Sequence, residues 1–340
     1  MVDIQSTKRA TLHDVADRAG VSYQTVSRVI NQHPNVADKT RQKVLQAIRE
    51  LDYRPNQAAK VLATGKSYML HLIMFDLRYS DPLPSMLFWA KQMGYTLVIS
   101  EISPSATKSE VRKTLQDLTS RMIDGLIMFT PYIFISYDEM KNICREVPFV
   151  FVSTELGVRT PTVAYDQAHG TVLAVQHLLD LGHQHIAEIR GLAQHSDARI
   201  RHETFIEMLR RNDIKPGPSV EGDFEIVGGY RATQQLLATQ EPFTAILVGN
   251  DRMALGALHA LREHNLRVPE DVSIIGYDDM TEAAYFSPPL TTIKQDLSVL
   301  AQQSIDYLVS MVKNPNTPIQ QRVLYPELII RNSTAPLKQT

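Results

Sequence analysis

The sequence has little of what would place it outside the cell or in a membrane. Cys144 is the one cysteine among 340 residues, so an intrachain disulfide is excluded and a reducing compartment is expected. The first residues, MVDIQSTKRATL, lack the apolar run of a secretory signal. The longest apolar runs, such as Phe149–Val152, have the length of a strand and are too short to span a bilayer. We therefore expect a cytoplasmic protein with no membrane partner.

Catalytic and metal-binding motifs are also missing. The sequence contains no G-x-S-x-G, H-E-x-x-H or phosphate-loop motif, so an enzyme acting on a sugar or nucleoside is a minor alternative. His183 and His185 stand two residues apart before an apolar run, with no cysteine or carboxylate grouped around them, and we interpret them as part of a turn. We therefore predict that the protein is not an enzyme and holds no cofactor and no metal.

Charge is distributed unevenly along the chain. The formal net charge is −2, but residues 1–66 carry 11 basic and 6 acidic side chains, whereas residues 67–340 carry 24 basic and 31 acidic ones. A basic N-terminal segment on an acidic body is typical of proteins in which only that segment meets nucleic acid. The length predicts two or three domains.

The N-terminal segment has the pattern of a helix-turn-helix. Thr11 and Asp14 form a capping box before an amphipathic stretch, and Gly20 interrupts that stretch. Ser22 is then placed to cap a second helix only two residues later. A third amphipathic helix is predicted over about Asp38–Leu51.

The second helix of this segment is the first functional candidate. Its apolar stripe is Val26, Val29 and Ile30, which leaves Gln24 and Arg28 one turn apart on the outer face. A planar amide and a guanidinium near the N-terminus of a helix suit the donor and acceptor edges of the DNA major groove. The pattern alone leaves open the alternative of a small helical bundle with no partner.

After residue 67 the pattern changes to short apolar runs that alternate with amphipathic helical stretches. This alternation indicates parallel sheets covered by helices on both faces, and the length suits two such lobes. The predicted strands are Leu70–Phe75, Tyr95–Ile99, Gly125–Phe129, Phe149–Val152, His185–Ile189, Ala245–Val248, Val272–Tyr277 and Leu324–Ile330.

Polar residues follow several of these strands. Asn250 and Asp278 stand at the carboxyl ends of two predicted strands, where open α/β sheets bind ligands, and a helix with two arginines begins at Asp197. A carboxylate, an amide and an arginine would suit the vicinal hydroxyls of a sugar. Spacing alone favours the alternative that Asp251 and Asp279 cap helices, Asn250 makes a turn and the arginines are solvated.

Long motifs in both parts resemble the lactose repressor family of bacterial transcription regulators. The motifs are T-L-H-D-V-A-D-R-A-G-V-S-Y-Q-T-V-S-R-V-I-N, K-T-R-Q-K-V, L-D-Y-R-P-N, G-H-Q-H-I-A, N-D-R-M-A-L-G-A, S-I-I-G-Y-D-D and P-P-L-T-T-I-K-Q-D. The resemblance implies an N-terminal all-α helix-turn-helix head and a two-lobed α/β effector core with the fold of periplasmic sugar-binding proteins.

The resemblance also implies roles for side chains of the head. Tyr23, Gln24 and Arg28 match the base-reading positions of the family. Ala37 stands where the family often has a capping serine, so the cap of the third helix is expected to be weaker or to pass to Asp38. The residues implied to contact the DNA backbone are Thr11, Ser22, Thr25, Ser27, Asn31, Lys39, Thr40 and Arg41.

Residues 55–66 are predicted to form a linker or hinge. A proline opens the segment, a glycine lies near its end, and it is too short to be a stable helix alone in water. The resemblance implies a hinge helix that folds on operator DNA, with Asn56, Ala59 and Leu62 at the minor groove and Leu62 as a wedge between base pairs.

The resemblance further implies an effector site between the two lobes. The implied effector-binding residues are Phe75, Asp76, Phe129, Ser153, Arg201, Phe224, Asn250 and Asp278. Phe224 falls where a member of the family stacks a tryptophan on its sugar, whereas Phe75 and Phe129 replace small polar residues that are common in the family.

The sequence thus predicts three regions. They are a helix-turn-helix DNA-binding domain at 1–54, a hinge at 55–66 and an effector-binding and dimerisation core at 67–340, with lobe N at about 67–161 and 292–322 and lobe C at about 162–291 and 323–332.

We expect a repressor of carbohydrate-utilisation genes that binds a near-palindromic double-stranded DNA operator and answers to a small sugar-type effector. A regulator responsive to a purine, nucleoside or sugar phosphate is the alternative, and a stand-alone sugar-binding protein is a lesser one. Residues 331–340 show no leucine heptads, so a homodimer is expected rather than a tetramer.

Overall fold

The structure is a computed structural model that describes residues 10–30, 34–53, 65–76, 81–130, 135–157 and 159–338. It divides the chain into two units, residues 1–67 and 68–340. The predicted start of the core, residue 67, lies one residue before the start of the second unit.

The described part of the first unit contains α1 (Leu12–Ala19), α2 (Tyr23–Ile30) and α3 (Asp38–Glu50). The predicted capping box is present, because Thr11 Oγ1 accepts from Asp14 N–H at 3.3 Å and Asp14 Oδ2 accepts from Thr11 N–H at 2.7 Å. Gly20 has a φ of 64° in the turn, a left-handed conformation that costs glycine little. Ser22 Oγ accepts from Thr25 N–H at 3.2 Å and so caps α2.

The core of the head holds the three helices together. Val15, Val26 and Val44, one from each helix, are fully buried in it. Ala37 occupies the N-cap of α3 without a side-chain hydrogen bond, and Asp38 lies inside the first turn, so Asp38 does not take over the cap.

The second unit alternates strands and helices. Its helices are α4 (Leu83–Gln92), α5 (Lys108–Thr119), α6 (Tyr137–Cys144), α7 (Gln167–Asp180), α8 (Ser196–Arg211), α9 (Ile226–Ala238), α10 (Asp251–Glu263) and α11 (Leu297–Lys313). Its strands are β1 (Met69–Met74), β2 (Thr96–Glu101), β3 (Gly125–Phe129), β4 (Phe149–Val152), β5 (Thr162–Tyr165), β6 (Ile186–Arg190), β7 (Ser219–Glu221), β8 (Ala245–Val248), β9 (Ser273–Asp278), β10 (Thr291–Lys294), β11 (Gln321–Leu324) and β12 (Glu327–Ile329).

These strands form two sheets, one in each lobe. The sheet of lobe N has the order β11-β5-β4-β3-β1-β2 and is parallel throughout. The sheet of lobe C has the order β12-β10-β9-β8-β6-β7, in which β12 pairs with β10 in the antiparallel sense. Apolar clusters cover both faces of each sheet, as expected for buried parallel strands.

The chain passes between the lobes after β5, after β10 and after β11. Each passage lies a few residues later than the predicted boundaries at 161, 291 and 322, because β5 pairs within lobe N and β10 within lobe C. The predicted strand Leu324–Ile330 is wrong, since β11 ends at Leu324 in lobe N and β12 begins at Glu327 in lobe C.

Candidate functional site

The outer face of α2 exposes the three side chains predicted to read bases. Val26 and Val29 are buried, which turns Gln24 and Arg28 to the exposed side of the helix. The Tyr23 side chain is 46% exposed, and its ring stacks on His13 at a centroid distance of 5.0 Å. His13, which the sequence reading did not single out, thus fixes the direction of a tyrosine at the start of this helix.

The predicted DNA-backbone residues lie around this helix. Ser22 Oγ and Thr25 Oγ1 are 2.9 Å apart at its N-terminus, and residues 39–41 form the first turn of α3. Thr11 Oγ1 already takes part in its capping box. The predicted contacts Asn31, Asn56, Ala59 and Leu62 lie outside the described residues.

A second candidate site lies at the carboxyl end of β9, in the cleft of the core. Asp278 Oδ1 is 3.8 Å from a terminal nitrogen of Arg201, which α8 supplies. The Arg201 guanidinium lies over the Tyr277 ring at 3.6 Å and donates to the Gly249 carbonyl at 2.6 Å. The arginine is thereby held by a ring and a carboxylate at the end of β9 and by a carbonyl directly after β8.

Two glutamines that were not predicted from the sequence link Arg201 to Asp278 through three hydrogen bonds, which form a closed ring together with the ion pair. Arg201 Nε donates to Gln167 Oε1 at 3.0 Å, Gln167 Nε2 donates to Gln295 Oε1 at 3.0 Å, and Gln295 Nε2 donates to Asp278 Oδ1 at 2.9 Å. Gln167 follows β5 and Gln295 follows β10. The ring therefore includes one residue from each of two of the three segments that pass between the lobes.

The backbone is strained at three of the predicted effector residues. Ser153, Phe224 and Asp278 have φ angles of 54°, 66° and 108°, a region that side chains other than glycine rarely adopt. Such residues persist where the surrounding structure holds them and cluster at functional sites. None of the three lies in a helix: Ser153 directly follows β4, Phe224 lies between β7 and α9, and Asp278 is the last residue of β9.

Asn250 is buried and caps α10. Its Oδ1 accepts from Met253 N–H at 2.9 Å, and its Nδ2 donates to the Phe224 carbonyl at 3.0 Å. Asp251 and Asp279 do not cap helices: Thr292 Oγ1 donates to Asp251 at 2.6 Å, and Arg331 donates to Asp279 at 2.6 Å. Asn250 thus fixes both the start of α10 and the strained loop at Phe224.

Phe224 lies beside an aromatic neighbour at the rim of this region. Its ring centroid is 5.1 Å from that of His195, and a Cβ added to Gly191 would lie 2.2 Å from Phe224 Cζ. Only glycine leaves room for the ring at that point.

The predicted residues of lobe N differ in accessibility. Phe75 is 2% exposed and belongs to the apolar cluster that contains Phe151, so little of its ring is available to a ligand. Phe129, Asp76 and Ser153 are half-buried at strand ends.

Burial controls the ionisation of the carboxyl groups in the cleft. The Asp278 side chain keeps 40% of its surface accessible, yet protein surrounds it closely enough that burial raises its pKa to about 6, against the opposing effect of Arg201. Burial likewise raises the pKa of Asp197 to about 6, again opposed by Arg201. Asp251, deeper and close to Asp278, has its pKa raised to about 8, first by burial and then by that neighbouring carboxylate.

Ion pairs join the two lobes at the mouth of the cleft. Arg199 of α8 lies 2.8 Å from Glu155 of lobe N, and Arg252 of α10 lies 3.0 Å from Asp81. Near the first pair, the hydroxyls of Thr154 and Ser196 are buried and find no hydrogen-bond partner among the described residues.

The described residues contain no group of three or more metal-ligating side chains. His183 is buried, and its ring nitrogens lie 2.9 Å from Thr244 Oγ1 and 3.0 Å from the Ala335 carbonyl, which makes it part of the packing around its turn. No helix in the described part of the chain is long and apolar enough to cross a membrane.

An exposed helix-turn-helix face and a two-lobed core with a polar cleft define a DNA-binding regulator of the ligand-responsive class. The chain belongs to the lacI family of bacterial regulatory proteins, whose profile matches residues 11–56, while that of a periplasmic binding protein-like domain matches residues 175–334. It is accordingly a DNA-binding transcriptional regulator, not an enzyme.

Relatives match nearly the whole chain. The lactose operon repressor of Escherichia coli (strain K12) is 36% identical over 98% of this chain and 93% of its own length. The HTH-type transcriptional repressor PurR of Haemophilus influenzae (strain PittEE) is 35% identical over 95% of this chain and 98% of its own. A crystal structure of the Lac repressor dimer bound to operator and the anti-inducer ONPF has a TM-score of 0.88, with 36% identity over 96% of this chain and 100% of that one.

Proposed function

We propose that the protein is a dimeric, cytoplasmic repressor of carbohydrate-utilisation genes, controlled by a small carbohydrate bound between the lobes of its core. In this proposal Tyr23, Gln24 and Arg28 read base edges of a near-palindromic operator, and the polar residues around α2 hold the phosphates. The hinge at 55–66 supplies the minor-groove contact through Leu62.

One observation carries the control mechanism: Asp278 is tied to residues at two of the passages between the lobes. Its carboxylate accepts from Gln295, which in turn accepts from Gln167. A hydroxyl group of an effector that bonds to Asp278 must compete with Gln295 or align with it. Binding of an effector in the cleft therefore changes the hydrogen bonds of the segments that connect the lobes and determine their relative position.

Binding and control are linked by a single free energy. An effector that lowers operator affinity must bind the state of low operator affinity more tightly by the same amount. In this proposal the two lobes move between two relative positions, and the hinge helices transmit that movement to the DNA.

The proposed dimer is supported by exposed apolar surface on the core. A groove of about 630 Å³ is lined by α9, α10 and the 3₁₀ turn Thr281–Tyr285, and is separate from the polar cleft. Val227 and Tyr285 beside it are 57% and 84% exposed. On lobe N, Phe88 of α4 is also exposed. A second copy of the chain is the occupant we propose, since the similar Lac repressor structure is a dimer on its operator.

The test is to separate effector response from DNA binding with Asp278→Ala. The variant should bind an operator fragment with unchanged affinity and should fail to release it when a panel of mono- and disaccharides is added, as measured by fluorescence anisotropy. A variant that releases operator like the parent protein would place the effector elsewhere.

A purine is the second candidate effector. The PurR relatives are nearly as similar to this chain as the lactose operon repressor is, and the adjacent rings of His195 and Phe224 offer a surface on which a flat base could stack. Adding hypoxanthine and guanine to the panel decides between a carbohydrate effector and a purine effector. Binding of a purine and of no sugar would favour the purine.

A further inference from the structure

Glu188 is a buried carboxylate in β6, which lies between β8 and β7 in the sheet of lobe C. The residue is 3% exposed, and charged side chains are almost never buried to this extent unless they are paired. Because side chains alternate along a strand, Glu188 points to the same face of the sheet as Ile186, which packs in one apolar cluster with Phe205 of α8. A carboxylate on this face needs partners from the elements around it.

One oxygen of Glu188 has partners from two different elements. His202 Nδ1 of α8 lies 2.6 Å from Glu188 Oε2, and Ser219 Oγ of β7 donates to the same oxygen at 2.8 Å. A neutral ring can donate from Nδ1, but a protonated ring adds the attraction between opposite charges, which partial burial protects from screening by water. The strength of the link between α8 and β6 therefore depends on the proton of His202.

The charged groups around His202 leave Glu188 as its main partner. The hydrogen bond to Glu188 raises the pKa of His202 from its ordinary value of 6.5, against the opposing effects of burial and of Arg190. Glu203 of α8 adds a smaller attraction, and Arg190 itself contacts Glu221 of β7 at 3.3 Å. The titratable side chains of α7, which packs against α8, contact other groups: His169, His177 and Asp180.

The same helix carries an arginine of the cleft. Arg201 directly precedes His202 in α8, and its guanidinium donates to the Gly249 carbonyl at 2.6 Å. Glu188 and Arg201 also line one small cavity of about 10 Å³. A change in the link between His202 and Glu188 can therefore move Arg201, which is a neighbour of this pair both along the helix and across the cavity.

We propose that Glu188 and His202 are positioning residues of lobe C: they anchor α8, and with it Arg201, to β6, and the anchor weakens when His202 loses its proton. Since the pKa of His202 is raised in the folded protein, its contribution to stability is fully present below 6.5 and is lost as the pH rises through the folded value. Arg201 is thus held most firmly at acidic pH. This role goes beyond the proposed function and is the same for any effector that the cleft binds.

Hydrogen exchange of α8 in the full-length chain, at pH 6.0 and 8.5, tests this anchor. His202→Asn keeps a neutral donor near the position of Nδ1 and has a similar helix propensity, so it removes chiefly the charge. At pH 6.0 the amides of residues 196–205 should exchange about fivefold faster in this variant than in the parent protein, because a hydrogen bond between charged groups is lost. At pH 8.5 the two proteins should exchange at nearly the same rate.

Comparing the proteins at one pH cancels the chemical exchange rate and the contribution of Asp251, which titrates in the same lobe. His264→Asn is the matched control, since His264 is an exposed histidine at the end of α10. It should exchange like the parent protein at both pH values. In Glu188→Gln the ring of His202 should titrate at a lower pH than in the parent protein, as measured by NMR of histidine labelled with carbon-13, because the carboxylate that favours the protonated ring is removed.

A constant ratio of the exchange rates of His202→Asn and the parent protein at the two pH values, whether it is one or larger, would overturn the proposal. If His202→Asn does not fold, the double variant Glu188→Leu with His202→Leu gives the same test, because apolar side chains often replace a buried pair without loss of stability. A constant ratio in that variant would equally overturn the proposal. No effector is needed for these measurements, so a failure of the sugar panel would contradict the proposed function and leave this result unaffected.

Discussion

Asp251 is a buried carboxyl group that supports the cleft without lining it. It is 1% exposed, and its two oxygens accept from Thr292 Oγ1 and from the Met280 N–H. These bonds join the start of α10 to β10 and to the loop after β9. The residue therefore fixes Asn250 and Asp278, its neighbours in sequence and in space, through the backbone.

The raised pKa of Asp251 makes stability depend on pH in a defined direction. The folded protein holds this proton up to about pH 8, whereas the unfolded chain releases it near the ordinary value of 3.8, so stability should fall as pH rises between these values. Asp251→Asn, which keeps the shape and cannot ionise, should flatten that dependence. Urea midpoints at pH 5.5 and 8 measure it, with the variant gaining over the parent at pH 8.

Asp251→Ala is the comparison for this prediction. It removes both hydrogen bonds and leaves Thr292 and the Met280 N–H without this acceptor, so it should lose about 1–3 kcal/mol at either pH. An asparagine variant as unstable as the alanine variant at pH 8 would show that the carboxylate is needed in its charged form.

Arg28 belongs to the proposed reading face, and its replacement tests that role. Arg28→Ala should cost about 1–3 kcal/mol on the preferred operator and relax the preference at one base-pair position. Binding to a set of operators substituted at single positions would measure this. An equal loss on all of them would show that Arg28 contacts phosphate only. Lys39→Ala, at a predicted backbone contact, should give that uniform loss.

At single positions, prediction from sequence succeeded where a residue type has one evident use. The capping threonine, the buried valines of the head and the exposed Gln24 and Arg28 follow directly from helical spacing. Gln167 and Gln295 were missed, because glutamine has no spacing signal and these two lie 128 residues apart. Phe75, which the resemblance implied as an effector contact, directly follows β1 and packs into the apolar cluster that contains Phe151.

The seam between the lobes, which contains the ion pairs Arg199–Glu155 and Arg252–Asp81, combines favourable and unfavourable contacts. Its two ion pairs are partly exposed, so each contributes about 0.2–1 kcal/mol. The Thr154 and Ser196 hydroxyls, which are buried without a hydrogen-bond partner among the described residues, each cost about 1–3 kcal/mol. Because these contributions are similar in size and opposite in sign, a modest free energy of effector binding is enough to change the relative position of the lobes.

Glu155→Gln tests whether the Arg199 ion pair favours closure around an effector. Removing it should weaken effector binding up to about fivefold, the equivalent of 1 kcal/mol, with a smaller effect at high salt. Titration calorimetry with the best sugar of the panel measures this. Glu203→Gln is the control, because it removes the other partner of Arg199, within the same helix, and keeps the contact between lobes. Equal affinities in the two variants would contradict a role of the seam.

Strands were predicted well where they are apolar and poorly where buried hydroxyls replace apolar groups. The bounds of β3, β4 and β8 match the prediction, since each is a continuous apolar run. β10 was missed: Thr291 and Thr292 are fully buried, and their hydroxyls bond to the Arg331 N–H and Asp251. A polar run can form a central strand when distant partners satisfy it, and a single sequence does not show those partners.

At the scale of the molecule, the two proposed sites lie in separate units of one chain. The proposed cleft is assembled by residues of one chain, including Arg201 and Asp278, whereas a near-palindromic operator needs two heads. Effector binding should therefore survive in a monomer, and tight operator binding should not. This difference gives a test of the dimer that does not depend on overall stability.

Val227→Glu places a charge on the exposed apolar surface beside the groove of lobe C. If two copies meet there, the carboxylate would be buried without a partner, a cost of several kcal/mol for each copy. The variant should sediment as a monomer, bind the best sugar with the affinity of the parent protein and lose at least about tenfold in operator affinity, because its heads no longer bind as one unit. Gln116→Glu, an exposed position on α5, is the control and should change none of these. A Val227→Glu protein that remains dimeric would place the interface elsewhere, and one that loses sugar binding as well would show that the cleft depends on the partner.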